Sequence, residues 1–241
     1  MNNAPRREVQ SKHLFMSVDN QQNKDRKQIL NLFAEMDGPL GVVKINREHR
    51  MNTLSPTLVQ DINRGVESVY QDHISHVIYL GTEKGLHFCN GSDFRTLANM
   101  NREGAHDRIQ EYMQHLYNMQ VTVASINKPL IAVAPGYSAN SGAALLTACS
   151  HPMTTPTSKV SFNETQFGFV PHGGGAFHMS RLPGEFGTFM ALTGLKINGE
   201  DATILDISRD MVNDPLQYHQ YVSDAVYNVP MKYPGGEDIF R

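Results

Sequence analysis

Residues able to do chemistry gather in three loops rich in glycine, serine and asparagine. They read Cys89-Asn-Gly-Ser-Asp93, Pro135-Gly-Tyr-Ser-Ala-Asn-Ser-Gly142 and Asn163-Glu-Thr-Gln-Phe-Gly-Phe-Val-Pro-His-Gly-Gly-Gly175. Each follows an apolar run, where α/β folds place ligands, and two lead into helical patterns. Backbone amides at a helix start lack intrahelical partners and sit at the positive end of the helix dipole. They suit an anion or a developing oxyanion. The third loop contains a carboxylate, Glu164, and an imidazole, His172. A tight turn that needs glycine is the plain reading of any one loop, whereas three together point to a site.

Other chemistries fail on order or spacing. His172-Gly-Gly-Gly resembles a lipase oxyanion loop and Gly136-Tyr-Ser138 a nucleophile elbow, but the elbow lacks its second glycine and the oxyanion loop should come first. Ser138 and Ser141 then read as backbone-spacing residues. His73 and His76 enter a strand, where alternate side chains face opposite ways, so their spacing does not aim both at one metal. No phosphate-binding loop, dinucleotide fingerprint or metalloprotease motif occurs, and neither a metal nor a cofactor is expected.

The elements that must carry these loops follow from periodicity. Gly41-Val-Val-Lys-Ile-Asn alternates at period two and predicts a strand. Ser55 as N-cap and Pro56 in the first turn open a helix with the stripe Leu58, Val59, Ile62, Val66, Val69 and Tyr70. Buried strands are expected at Ile74-Ser-His-Val-Ile-Tyr-Leu and Pro129-Leu-Ile-Ala-Val-Ala, and a short apolar run at Leu86-His-Phe-Cys. A long helix is expected over about 104–125, with Ile109, Tyr112, Met113, Leu116 and Tyr117 on one face. From Asn140 a helix of small residues begins, which implies close approach of a helix, sheet or ligand. Lys159-Val-Ser-Phe predicts a strand, with short helices over 173–182 and 185–192. The alternation makes the fold class α/β. Three parts are expected: a 1–35 N-terminal arm, a 36–205 domain and a polar, proline-bearing 206–241 extension that adds little to a core.

Composition removes further classes. Of 241 residues, 40% are hydrophobic and 19% charged, which suits a packed core and not a disordered chain. No run approaches the ~20 apolar residues of a membrane-spanning helix. A net charge of −3 argues against a domain whose main work is neutralising phosphates, though a local basic patch stays open. Cys89 and Cys149 read as buried reduced thiols of a cytosolic or matrix protein. Arg6, Arg7 and Lys12 ahead of Leu14-Phe15 suit an organellar transit segment, and Glu8 speaks against one.

Taken together, the three loops, the run Ala191-Leu-Thr-Gly-Leu-Lys-Ile-Asn-Gly-Glu-Asp and the segment Asn46-Arg47 to Arg50-Met-Asn-Thr-Leu54 resemble the crotonase (enoyl-CoA hydratase/isomerase) superfamily. Within it they look like the 3-hydroxyisobutyryl-CoA hydrolases, over about residues 41–204. The resemblance implies a crotonase-like spiral of ββα units, cut short of the helical C-terminal region that covers the site in those hydrolases. It implies an acyl-CoA thioester as substrate or vestigial ligand, its carbonyl held by the amides of Ser92 and Ser141, where the family usually has Gly or Ala. Arg50 and Asn52 fall in the CoA-side loop. The family's first hydratase glutamate falls on Ala144, which speaks against water addition to an enoyl-CoA. Glu164 matches the hydrolase glutamate, but His172 stands where its aspartate belongs. The acidic residue of the long helix falls on Leu116, or on Glu111 after a register shift.

These departures lead to a first expectation of a non-catalytic structural subunit in a mitochondrial assembly, on the matrix side. The small subunit of the mitochondrial ribosome is favoured because relatives of these hydrolases serve there, and a respiratory-chain or ATP synthase accessory role stays open. Other protein subunits would cover the 185–241 surface, and any rRNA contact would be peripheral. The alternative is an active hydrolase of short branched acyl-CoA, with Glu164 activating water and His172 in place of the aspartate.

Overall fold

The structure, a computed structural model, describes residues 12–18 and 30–228. The basic residues Arg6 and Arg7 and most of the expected arm lie outside them, as do residues 229–241.

In chain order the elements are β1 (Lys12–Val18), β2 (Leu30–Asp37), β3 (Leu40–Ile45), α1 (Pro56–Gln71), β4 (Val77–Thr82), α2 (Phe94–Arg102) and α3 (His106–Ala124). There follow β5 (Leu130–Ala134), β6 (Tyr137–Ala139), α4 (Ser141–Ala148), β7 (His151–Thr154), β8 (Lys159–Ser161) and a 3₁₀ turn (Glu164–Phe167). The last are α5 (Gly175–Met179), α6 (Phe186–Thr193), β9 (Lys196–Asn198), α7 (Gly199–Ile204), β10 (Asp210–Met211) and α8 (Pro215–Asn228). Seven strands form one sheet in the order β1-β2-β3-β4-β5-β7-β10, antiparallel up to β3 and parallel from β3 onward. A smaller sheet, β6-β8-β9, lies beyond the crossovers. This is the expected α/β arrangement.

The helix starting at Ser55 forms as its pattern predicts. Ser55 Oγ accepts from the Leu58 N–H, Pro56 opens the helix, and Leu58, Val59, Ile62, Val66 and Val69 are buried in the main core. The long helix expected over 104–125 is in fact preceded by a second one. Gly104, at φ 71°, breaks the chain between α2 and α3, a left-handed conformation that glycine adopts without strain. Tyr112 and Leu116 face the core as expected, but Tyr117 is turned out. The small residues of α4 do permit a close approach: a Cβ on Gly142 would run into the Cys89 carbonyl.

Both expected boundaries need correction. The border at residue 36 falls inside β2, whose Leu32 and Ala34 are buried in the main core. At the other end, Ile207 is part of that core and α8 closes the opposite face of the sheet. Val222, Tyr218 and Val226 of α8 pack on Leu40, Val42, Tyr79, Ile131 and Val133. Ser223 Oγ and Tyr227 OH donate to the two carboxylate oxygens of Asp37, at 2.7 and 3.0 Å. A stretch read as polar tail therefore completes a layer, and part of the 185–241 surface is internal. Among the described residues, no helix is long and apolar enough to cross a membrane.

Candidate active site

The loop after β3 builds one wall. Arg47 is only 3% exposed, and both terminal guanidinium nitrogens donate to Asp93 Oδ2 at 3.2 Å. One of them also donates to the Thr53 carbonyl and hydroxyl at 2.8 Å. Asn52, in a left-handed conformation at φ 54°, accepts from the Arg47 N–H at 2.7 Å and donates to the His87 carbonyl and Glu48 Oε2. Its amide is thus committed to shaping the loop and offers nothing to a ligand. Arg50 is exposed on the short turn Glu48–Arg50, apart from the other candidates.

Two single β-bridges bring the next residues in. Leu54 pairs with Ser92, and Cys89 with Ser138. Leu54 N–H donates to the Gly91 carbonyl and Asp93 N–H to the Leu54 carbonyl, so the Ser92 N–H between them points the other way. Ser141 opens α4, so its N–H has no intrahelical acceptor. These are the two amides expected to hold a carbonyl oxygen. The structure joins them in a manner the sequence did not show: Ser92 Oγ and Ser141 Oγ are hydrogen-bonded at 2.9 Å, both fully buried. Tyr112 adds a third hydroxyl, donating to the Leu54 carbonyl at 3.1 Å beside Ser92, and burial pushes its phenol well up. Burial also pushes the Cys89 thiol up to about 12, which leaves it inert as a nucleophile. Gln120 Nε2 donates to the Ser141 carbonyl at 3.0 Å.

The third loop forms the other wall. Glu164 is fully buried, and His172, whose side chain is 7% exposed, brings Nδ1 to 3.5 Å from Glu164 Oε1. Among the described residues neither Glu164 oxygen nor His172 Nδ1 has a hydrogen-bond partner. Phe169 stacks beside the imidazole and Tyr117 meets it edge-on, each with ring centres 6.3 Å away. Phe94, next to Asp93, stacks on Phe167 and Phe169 and so ties the two walls together.

The two residues offered for the helix acid differ in exposure. Leu116 is buried in the core, and Glu111 is exposed, pairing with His115 at 3.6 Å. Glu111 lines a cleft of about 310 Å³ with Arg47 and Tyr112 of the site and with Thr96 and Arg108. Ala144 is buried in α4. Sequence reasoning missed the pairing of Arg47 with Asp93, and Gln120 altogether. Gln120 had a signal, a polar residue on the buried stripe Tyr112, Leu116, Met119 and Val123. Arg47 and Asp93 had none, being 46 positions apart.

Comparison with known proteins agrees with the fold. The sequence pattern of the enoyl-CoA hydratase/isomerase family matches residues 40–226, past the expected border and into α8. The chain is 27% identical to the mitochondrial 3-hydroxyisobutyryl-CoA hydrolase of Rattus norvegicus over 208 residues, 86% of this chain and 53% of that protein. It is 31% identical to small ribosomal subunit protein mS47 of Arabidopsis thaliana over 156 residues, 64% of this chain and 38% of that protein. An enoyl-CoA hydratase from Rhodobacter sphaeroides superposes with a TM-score of 0.77 at 23% identity, covering 86% of this chain and 62% of that one. The chain spans about half the length of the curated relatives it matches.

Proposed function

The chain belongs to the enoyl-CoA hydratase/isomerase family, and we propose that it is a 3-hydroxyisobutyryl-CoA hydrolase-like member that has exchanged thioester turnover for a structural role in a mitochondrial assembly. The small ribosomal subunit is the first candidate, on the similarity to mS47, with a matrix-side location following from it.

One observation carries the loss of turnover: the Ser92–Ser141 hydroxyl clasp. An oxyanion site works when its donors stand about 2.7–3.1 Å from the position of the developing charge, and losing one donor costs about 10²–10³ in rate. Two side chains that bond to each other beside those amides add bulk where a thioester carbonyl would have to bind. The proton-handling pair is altered as well, with an imidazole facing Glu164 instead of a second carboxylate. For the assembly role, Phe167, Val170, Phe177, Phe189 and Leu192 are all between 49 and 74% exposed. Large side chains exposed in one stretch of sequence suit a face covered by another subunit. The net charge of −3 suits protein neighbours better than a position deep in rRNA.

Hydrolysis of 3-hydroxyisobutyryl-CoA by the purified protein, compared with Glu164→Gln, decides the first half. No turnover above the variant is expected, even with partner proteins added. Turnover that disappears in Glu164→Gln would establish instead the active hydrolase, a reading favoured by the two unpartnered oxygens of Glu164. Native size separation of a mitochondrial extract decides the second half: migration in a large particle is expected, and migration alone would overturn the structural role.

A further inference from the structure

Buried polar atoms nearly always end in hydrogen bonds, so three in one place that do not require a physical reason. They are both carboxylate oxygens of Glu164 and Nδ1 of His172. At 3.5 Å, whether Nδ1 attracts or repels Oε1 depends on protonation. A bare Nδ1 sets lone pair against lone pair, whereas an N–H at that nitrogen sets a donor, and in the imidazolium a positive charge, against the carboxylate. One proton held in common would keep the two groups together. Without it, a fully buried carboxylate is left with no counter-charge, which is costly.

His172 sits on a loop with room to move. Gly168, Gly173 and Gly174 have φ of 77°, 60° and 90°, and a Cβ on Gly168 or Gly174 would meet nothing within 4 Å. Val170 is 74% exposed. Side chains of the loop meet the body of the protein where Phe169 stacks on Phe94 and where His172 faces Glu164 with Tyr117 at its edge, and the Phe169 N–H donates to the Glu164 carbonyl at 3.1 Å. The titratable groups facing the imidazole are thus Glu164 from the 3₁₀ turn and the Tyr117 phenol from α3. Gln120, beside Gly173, is neutral.

We infer that residues 168–174 form a proton-operated lid: a proton shared by His172 and Glu164 fastens the loop over the carboxylate, and loss of that proton releases the loop and admits water to Glu164. This goes beyond the structural role and does not depend on turnover. It gives the chain a means of sensing pH at the old acid–base site.

Amide hydrogen exchange of the full chain tests it, read by mass spectrometry from about pH 5 to about pH 8 and corrected for the intrinsic pH dependence of exchange. In the wild type, protection of peptides spanning 166–175 is expected to fall about five-fold or more from the acid to the alkaline end, while peptides within α1 keep theirs. Glu164→Gln and His172→Gln should each abolish this dependence. Equal protection of 166–175 at both ends of the range in the wild type overturns the lid, as does an unchanged dependence in either variant. Should neither variant fold, the wild-type contrast between 166–175 and α1 still decides, since a parallel loss in both peptides means global loosening and rejects the lid.

Discussion

Asp93 and Glu164 are carboxylates on the two walls of one site, linked through the Phe94–Phe169 stack, and they live under opposite conditions. Asp93 accepts two bonds from Arg47 on one oxygen and caps α2 through the other, which receives the Thr96 N–H at 3.2 Å. Glu164 is more deeply buried and accepts none among the described residues. The first wall is an architectural feature whose charges are balanced in place. The second holds a carboxyl group whose oxygens have no bonded partner among the described residues, beneath a loop that bears three left-handed glycines. The difference teaches where this scaffold has become fixed and where it still has something to respond with. Burial alone does not tell the two apart, whereas the partners of each oxygen do.

The largest effect should come from breaking the fixed wall. Asp93→Ala removes the counter-charge of a guanidinium that is 3% exposed, and breaking such a pair costs about 3–5 kcal/mol. Loss of the α2 cap adds about 1 kcal/mol. Urea unfolding should show the midpoint dropping accordingly. A loss below about 1 kcal/mol would mean that water reaches Arg47 easily and that the two walls are not so different.

A smaller effect is expected at the hydroxyl clasp between them. Ser92→Ala and Ser141→Ala should each cost about 0.5–1.5 kcal/mol, with a coupling of similar size in the double-mutant cycle, since each leaves the other hydroxyl without its partner. The double variant should also bind an acyl-CoA thioester more tightly than the wild type in calorimetry, because the volume beside the two amides is opened. Strictly additive stabilities, or no change in binding, would show that the clasp is not what closes the pocket.

Much of this was readable from the sequence, and the failures have definite causes. The three loops, Glu164, His172 and the α1 stripe stood out because each is local: a glycine at a turn, a cap beside a periodic run. The meeting of Ser92 and Ser141 side chains is not local, since 49 positions separate them and either serine alone reads as a spacer. Asn52 misled for a related reason, as a polar residue in a ligand-side loop looks available until its amide is found between Arg47, Glu48 and His87. The helix α8 was missed because its buried face is a single narrow line, Tyr218, Val222 and Val226, amid polar neighbours. Its remaining anchors are polar and lie nearly the whole chain away, at Asp37.

Asp37 supplies the smallest effect and a control for the comparison, a carboxylate held by hydroxyl donors at the protein surface. Tyr227 is 41% exposed, so Tyr227→Phe should cost only about 0.5 kcal/mol, the low end for a hydrogen bond. Its pH dependence has a definite sign. Burial first, then the hydrogen bond to Asp37 and the negative charge there, push the Tyr227 phenol up to about 12, above the ordinary value of about 10. A group whose value is raised on folding contributes fully below its unfolded value and loses that contribution as the pH climbs through the folded one. The stability gap between wild type and Tyr227→Phe should therefore stay flat up to about pH 10 and close toward pH 12. A gap as wide as that of Asp93→Ala would mean that Asp37 is as much a fixed point as the Arg47 wall. The contrast between balanced and unbalanced carboxylates would then hold across the whole sheet and not only within the site.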